Sequence, residues 1–507
     1  MGDAYAGLTA YHGDLHNHCN VGYAHGSLAD AFQNARLQLD FNCVTVHAHW
    51  PDIPRGEPRL DYLVKYHEDG FARTAAQWPA VREMVAAQHV DGRFVTFLGF
   101  EWHSNYYGDH NVYFKGAEGE IIRAPDMETM RAALDGYAAR GVDALLIPHH
   151  IGYKSGYRGY NWAEFNPKYI PVVEIMSMHG ASESPEAPRP YLHTMGPRDW
   201  RSTYQYGLQS GAVVGVIGST DHHSGHPGSY GHGRAGIWAS ELTRDGLWQA
   251  IRARRTYALT GDRIALKFML NDAVMGAVMP ATPEREITVD VTGGDAIDTI
   301  EIVHNNRVIQ HYAHLPPDGD PFAGPLKVHL EVGWGERGII TDWRAEIRVE
   351  GGELLDVEPR FRGHEVVAPQ SDEQDKYAFS AWERSAPDTV RFQTRTWGNL
   401  TTTTPSMQGM CFTLRGTAQT RLRGTINGQP VDVTLAELVD GPHAQYLGGF
   451  VSPAYCFYRA ATESAYRARL TFPHEVTGAA GRDWYAVRVR QKNDQWAWSS
   501  PIWVEGA

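Results

Sequence analysis

Short apolar runs recur through the first half of the chain, at 8–15, 41–46, 94–100, 111–114, 144–147, 172–176 and 212–217. Each ends in or beside a cluster of polar residues. Runs of this length, rich in β-branched and aromatic residues, predict buried strands. Between several of them the apolar spacing changes to the helical period. Ser27 stands ahead of Leu28, Ala31, Phe32 and Ala35; Asp126 precedes and Gly141 follows a segment over 127–139; Thr243 precedes Leu247 and Ile251. Ser, Asp and Thr at those places predict N-caps, because their side-chain oxygens accept from the unpaired amides of a first helical turn. Strand–helix alternation at this spacing predicts parallel β/α units, as an open sheet or a barrel.

The pattern changes near residue 263. Segments 286–291, 299–304, 344–349, 390–396 and 485–489 alternate, or carry β-branched and aromatic residues, with Gly, Pro, Asn or Asp between them. Asn427-Gly428 predicts a tight hairpin turn. The expected division is a β/α part at 1–263 and a β-rich part at 264–507, the latter one sandwich with an insertion or two small β domains. No internal repeat is visible, and the one locally biased run is 401–404.

Composition narrows the function classes. The 507 residues carry 46 basic and 59 acidic side chains, a net charge of −13. That balance argues against a nucleic-acid partner, which needs a basic surface to neutralise phosphates. Cys19, Cys43, Cys411 and Cys456 lie far apart with no C-x-x-C pair, against a disulfide scaffold or a zinc ribbon. No basic n-region with an apolar stretch opens the chain, and no run approaches the ~18 apolar residues of a membrane span. The expectation is a cytoplasmic protein acting on a small molecule, with no membrane partner and a homo-oligomer left open.

Histidine is distributed very unevenly, with 18 of 25 between His12 and His232. His16 and His18 follow a predicted strand, and alternation along an extended chain turns both rings to one face. His25 lies in the next loop. His47, Glu101 and His149 end predicted strands, His110 begins one, and Asp221 and His223 close the last. A lone histidine at a strand end is usually a satisfied polar residue. Nine nitrogen and carboxylate groups converging on one mouth are costly to bury unless something binds them, and a multi-metal cluster is the economical explanation. His150 in place of His149, and His103 in place of His110, are open alternatives.

This order of motifs, H-x-H, His, a strand-end His, Glu, His, His and D-x-H, resembles the polymerase-and-histidinol-phosphatase (PHP) family over roughly residues 8–262. The resemblance implies a distorted (β/α)7 barrel, here followed by a β-rich, sandwich-like region, and two to three divalent metal ions. Carried over, it makes His16, His18 and Asp221 ligands of a first metal, bridged by Glu101 to a second held by His110 and His149. A third would be held by His25, His47 and His223. One departure is Val46, where the family commonly has an aspartate. Gly-Asp-Leu-His-Asn-His at 13–18 and Arg255-Thr256-Tyr257-Ala258 with Gly261 look like a largely uncharacterised bacterial branch related to aryl-carbamate hydrolases.

Such a cluster lowers the pKa of a bridging water and polarises the bond attacked, so a hydroxide bridging the ions is available at neutral pH. The expected function is a metal-dependent hydrolase, foremost a phosphoesterase. The alternative is a hydrolase of carboxylic esters, carbamates or amides with an aromatic or apolar substrate. A nucleic-acid processing module and a non-catalytic binding protein are the remaining readings. His179, His222 and His226 are candidate proton donors, and Lys154, Arg158 and Arg234 candidate substrate-binding cations. Trp50, Trp102, Tyr106, Tyr107, Tyr153, Tyr157, Tyr160 and Trp162 crowd the same loops, which suits a ring-bearing ligand. Imidazole and carboxylate ligands suit Zn²⁺, Mn²⁺ and Fe²⁺ alike.

Overall fold

Helix α1 (Leu28–Gln38) starts where local chemistry says it should. The Ser27 hydroxyl accepts the Asp30 amide at 3.0 Å and the Asp30 carboxylate accepts the Ser27 amide at 3.3 Å, a reciprocal cap. The computed structural model describes residues 4–191, 195–364, 380–398, 406–476 and 481–506, so the 401–404 run lies outside the described residues. Helix α2 (Asp61–Gln88) has no counterpart in the sequence pattern. Its buried face is Val64, His67, Gly70, Thr74, Trp78, Val81 and Val85. Those positions keep the helical period, but His, Gly and Thr interrupt it, so the apolar signal is diluted. Gly70 is where Tyr23 packs, and a Cβ there would meet the Tyr23 ring at 2.9 Å. Helices α3 (Met127–Ala138), α4 (Tyr204–Gln209) and α5 (Arg244–Arg252) follow, with Asp126 capping α3 and Thr243 capping α5 as the sequence predicts.

The strands of this half are β1 (Thr9–Asp14), β2 (Phe41–Asn42), β3 (Thr45–His49), β4 (Val95–Thr96), β5 (Leu98–Trp102) and β6 (His110–Phe114). They continue with β7 (Ala144–Pro148), β8 (Val172–Ser177), β9 (Gly180–Ala181), β10 (Gly215–Gly218), β11 (Arg234–Ala239) and β12 (Thr256–Leu259). Pairing is mixed, not uniformly parallel. β1–β2, β2–β4, β3–β5 and β8–β10 are parallel. β1–β11, β11–β12, β5–β6 and β6–β7 are antiparallel. The pairings therefore do not form seven like β/α units. The step from Trp102 to His110 is too short for a crossover helix and folds back as a hairpin.

The β-rich half is joined to this sheet. Strand Trp496–Ser499 pairs antiparallel with β12, Tyr257 opposite Ser499. One apolar core gathers Leu266, Val289, Ile300 and Val487 with Tyr5, Trp238 and Tyr257 of the first half. A separate core is built from Leu330, Trp343, Phe392 and Phe412, from segments lying between the strands of the first. The Asn427-Gly428 turn has φ of 48° and 79° and joins strands Arg421–Ile426 and Gln429–Thr434, the hairpin the sequence predicts. No described helix is long and apolar enough to cross a membrane.

Candidate metal centre

His16 and His18 leave the end of β1, His47 lies in β3 and Glu101 in β5, His149 follows β7, and Asp221 and His223 follow β10. Their polar atoms meet. His18 Nε2 is 2.9 Å from Asp221 Oδ1, 3.1 Å from His16 Nε2 and 3.3 Å from Glu101 Oε2. His16 Nε2 is 3.2 Å from Asp221 Oδ1, His47 Nε2 is 3.4 Å from Glu101 Oε2, and His149 Nε2 is 3.3 Å from Glu101 Oε1. His18, His47 and His223 form a second converging trio, with ligand atoms within 4.8 Å of one another. The His47 ring is sandwiched between His18 at 3.7 Å and Tyr23 at 3.5 Å, which fixes its direction.

The donor set fits divalent cations. Ligand atoms bound at ~2.0–2.2 Å around a four-coordinate ion stand about 3.3 Å apart, the spacing seen here. Glu101 Oε2 and His149 Nε2 are buried without a hydrogen-bond partner among the described residues. Burial holds His47, His149 and His223 well below the usual imidazole range and lowers His18 to about 4, so these rings are neutral and have a lone pair to donate. Burial alone would raise Asp221, but His16 and His179 beside it hold its carboxyl well below the usual range.

One of the nine residues faces away. His110 pairs with Trp102 across the β5–β6 hairpin, one register step from Glu101, and its ring packs on Trp102 at 5.9 Å. Period-2 alternation therefore puts it on the sheet face opposite the Glu101 carboxylate. Its Nδ1–H donates to the Gly108 carbonyl at 2.9 Å. His25 is buried in the loop before α1, where its amide donates to the His223 carbonyl at 2.9 Å. The alternatives do reach the centre. His103 Nδ1 is 3.1 Å from Glu101 Oε1, and His150 gathers with Glu101, Asp109 and His149.

The proton-donor candidates separate too. His179 Nε2 is 2.9 Å from Asp221 Oδ2, at the centre. His222 and His226 turn away from it and pack on each other at 6.2 Å. Of the cations, Arg158 stands at the centre, its Nε donating to Asp109 at 2.6 Å and its terminal nitrogen to His103 at 2.9 Å. Lys154 is exposed and lies over the Tyr157 ring. Arg234 is fully buried, donating to the Gly228 carbonyl and to Gln38, so it cannot touch a substrate. A cavity of about 960 Å³ opens over the centre, lined by His47, Glu101, His150, His179, Asp221, His223 and Arg158. Tyr23, Trp50, Tyr62, Tyr66 and Tyr157 form its aromatic wall, Tyr153 is buried against His150 at 5.2 Å, and Trp102 and Tyr160 are buried around His110.

Of the supporting groups, Asp14 is expected from the sequence as a residue beside the ligands, and Glu174 went unseen. Glu174 accepts from His16 Nδ1–H at 2.9 Å and so aims Nε2 at the centre. The available signal was a lone carboxylate in the apolar run Val172-Val173-Glu174-Ile175. Asp14 accepts the Thr220 and Gly228 amides at 3.0 and 2.8 Å, bracing the loop that carries Asp221 and His223. Val46, where the resembled family has an aspartate, points into the apolar core. Glu174→Gln is expected to weaken metal affinity about 10–100-fold while leaving the fold intact, since only the acceptor that orients His16 is changed. Metal titration followed by circular dichroism checks it, and unchanged affinity would remove Glu174 from this role.

Comparison with known proteins gives partial matches. A family described as "Protein of unknown function (DUF3604)" matches residues 228–279. An uncharacterised protein of Chlamydia pneumoniae is 25% identical over 260 residues, 46% of this chain and 40% of that protein. An uncharacterised protein of Chlamydia trachomatis serovar D is 31% identical over 181 residues, 32% of this chain and 29% of that protein. The matches thus span well under half the length of these relatives. Among solved structures, a two-domain protein containing a predicted PHP-like metal-dependent phosphoesterase from Bacteroides vulgatus aligns with a TM-score of 0.32 at 11% identity, over 84% of this chain and 95% of that one.

Proposed function

We propose that this protein is a metal-dependent hydrolase of small molecules, with phosphoesters as its first substrate class. The observation that carries the reading is the convergence of His16, His18, His47, Glu101, His149, Asp221 and His223 beneath a cavity that also holds the Arg158 guanidinium, 3.9 Å from Glu101. Two to three divalent ions of the Zn²⁺, Mn²⁺ or Fe²⁺ kind would be held by these side chains and, when bound, supply an acidified water and polarise the bond to be cleaved. The residues of the chain do the remainder. Arg158, clamped by Asp109 and stacked on Trp50 at 5.0 Å, presents a fixed cation to anionic oxygens. His179, held by Asp221 on the cavity wall, is the histidine placed to pass a proton to a leaving group.

The scaffold is read as a distorted (β/α)7 barrel of PHP type, divided from the β-rich region at residue 263. In support, β2–β3 and β4–β5 are successive pieces of two longer strands, Leu146 of β7 donates to Tyr169 just before β8, and Thr256 of β12 donates to Val216 of β10. The order of ligand-bearing motifs, similar to that of the PHP family, supports the same reading. The net charge of −13 disfavours a nucleic-acid partner and fits a small-molecule substrate, for which a cytoplasmic role is proposed.

The aromatic wall favours a second reading, hydrolysis of an aromatic carboxylic ester, carbamate or amide. Nitrophenyl phosphate, a nitrophenyl phosphodiester, nitrophenyl acetate and a naphthyl carbamate, each with added Mn²⁺ or Zn²⁺, separate the two. Under the first, Arg158→Met is expected to lower kcat/KM on phosphoesters about 10–100-fold, the worth of one charged hydrogen bond, with Arg158→Lys partly restoring it. Turnover of acyl substrates alone, insensitive to Arg158→Met, would replace the first reading with the second.

A further inference from the structure

Helix α2 brings into the cavity wall a polar side chain that the proposed hydrolysis does not use. His67, 8% exposed, lines the cavity. Its Nδ1 lies 2.7 Å from the Leu63 carbonyl, one turn back along the helix. A carbonyl oxygen can only accept, so Nδ1 holds the proton of this ring. Burial lowers the ring to about 3, which keeps it neutral and leaves Nε2 a lone pair. Nε2 has no hydrogen-bond partner among the described residues, and it is not sealed off from the cavity that the ring lines.

The neighbours of this ring fix it and leave its acceptor uncommitted. His67 packs edge-on against Tyr23 at 4.6 Å, Trp50 at 5.2 Å and Phe71 at 6.2 Å. The polar atoms of the surrounding wall are spent within the protein. Trp50 Nε1 donates to Asp52 at 3.0 Å, the Tyr66 hydroxyl donates to the Tyr23 carbonyl at 2.5 Å, and the Tyr23 hydroxyl meets His103 Nε2 at 3.4 Å. His67 also stands beside the metal-ligand cluster, its ring 6.1 Å from that of His103. Both His67 and the Arg158 guanidinium pack on Trp50, at 5.2 and 5.0 Å. A ligand whose anionic end meets Arg158 therefore has its remainder within reach of His67. A purely apolar remainder would strip water from Nε2 and leave it unmatched, whereas an O–H or N–H would match it, so this stretch of wall discriminates between them.

We propose that His67 Nε2 is the acceptor of a ring subsite in this cavity, which takes a leaving group whose ring bears an O–H or N–H donor. The proposal rests on the phosphoester reading for the anionic end of the ligand and on His67 for the ring. Calorimetric titration of the Mn²⁺-loaded full chain tests it, with phenylphosphonate against 3- and 4-hydroxyphenylphosphonate, none of which can be hydrolysed. One of the hydroxyl compounds is expected to bind about 3–10-fold tighter, the worth of one neutral hydrogen bond. His67→Phe keeps a packed ring and is expected to abolish that preference, while phenylphosphonate binds as tightly as before or more tightly. A crystal of the complex is expected to place the hydroxyl against Nε2, which decides even if the variant does not fold. If no phosphonate binds, the phosphoester reading fails, and phenylacetamide against its 3- and 4-hydroxy forms tests the subsite alone. Equal affinities or no binding in both series, or a hydroxyl preference that His67→Phe keeps, would overturn the proposal. A preference lost in His67→Phe, in a protein that turns over none of the nitrophenyl or naphthyl substrates, would overturn the hydrolase reading and leave the subsite standing.

Discussion

Alanine at both His16 and His18 is expected to lower kcat/KM by at least ~10³-fold and to cut bound metal, with far-UV circular dichroism unchanged. The two Nε2 atoms stand 3.1 Å apart and share Asp221 Oδ1, at 3.2 and 2.9 Å. Removing them takes away the two nitrogens that lie between the Asp221 and Glu101 carboxylates. Transition-state stabilisation by a bound cation amounts to several kcal/mol, and about 4 kcal/mol corresponds to ~10³ in rate. Activity and metal content within a factor of a few of the unmutated protein would mean that the centre is not where hydrolysis occurs. Retained metal with lost activity would instead place the catalytic ion at this pair and further ions elsewhere.

The largest expected loss of stability lies away from the centre, at Arg360. Its side chain is fully buried, 3.0 Å from Asp262 and 3.4 Å from Glu358, with a further bond to the Gly294 carbonyl at 2.9 Å. Asp262 also accepts from Tyr230, Gln491 and Asn493, so this network knits residue 262 to the β-rich half. Arg360→Ala leaves buried carboxylates without their main cation, and a loss of about 3–5 kcal/mol is expected by urea denaturation. The exposed pair Arg395–Asp342, 2.7 Å apart, is the contrast, with Arg395→Ala expected to cost under ~1 kcal/mol. If both variants shift the midpoint equally, the junction network contributes no more than a surface ion pair.

Much of this architecture was legible in the chain. The caps at Ser27, Asp126 and Thr243 and the Asn427-Gly428 hairpin are local devices, so sequence alone predicts them. Helix α2 was not legible, because its buried face carries His67, Gly70 and Thr74, which break the run of large apolar side chains but fit tight packing. Mixed strand pairing was not legible either, since the same buried strand reads alike whether its neighbour runs parallel or antiparallel.

The sequence by itself determined that strand-end histidines and carboxylates would converge, because period-2 alternation turns His16 and His18 together and strand ends collect at one mouth. Only the tertiary structure decided membership. One register step across a hairpin put His110 on the wrong face and left Glu101 to His103 and His149. One residue in a turn sent His223 to the centre and His222 behind it, and the packing of the β-rich half buried Arg234 while Arg158 was left on the cavity wall. Those outcomes rest on pairings between segments far apart in the chain, and no local pattern encodes the distance between two side chains that meet only when the fold closes.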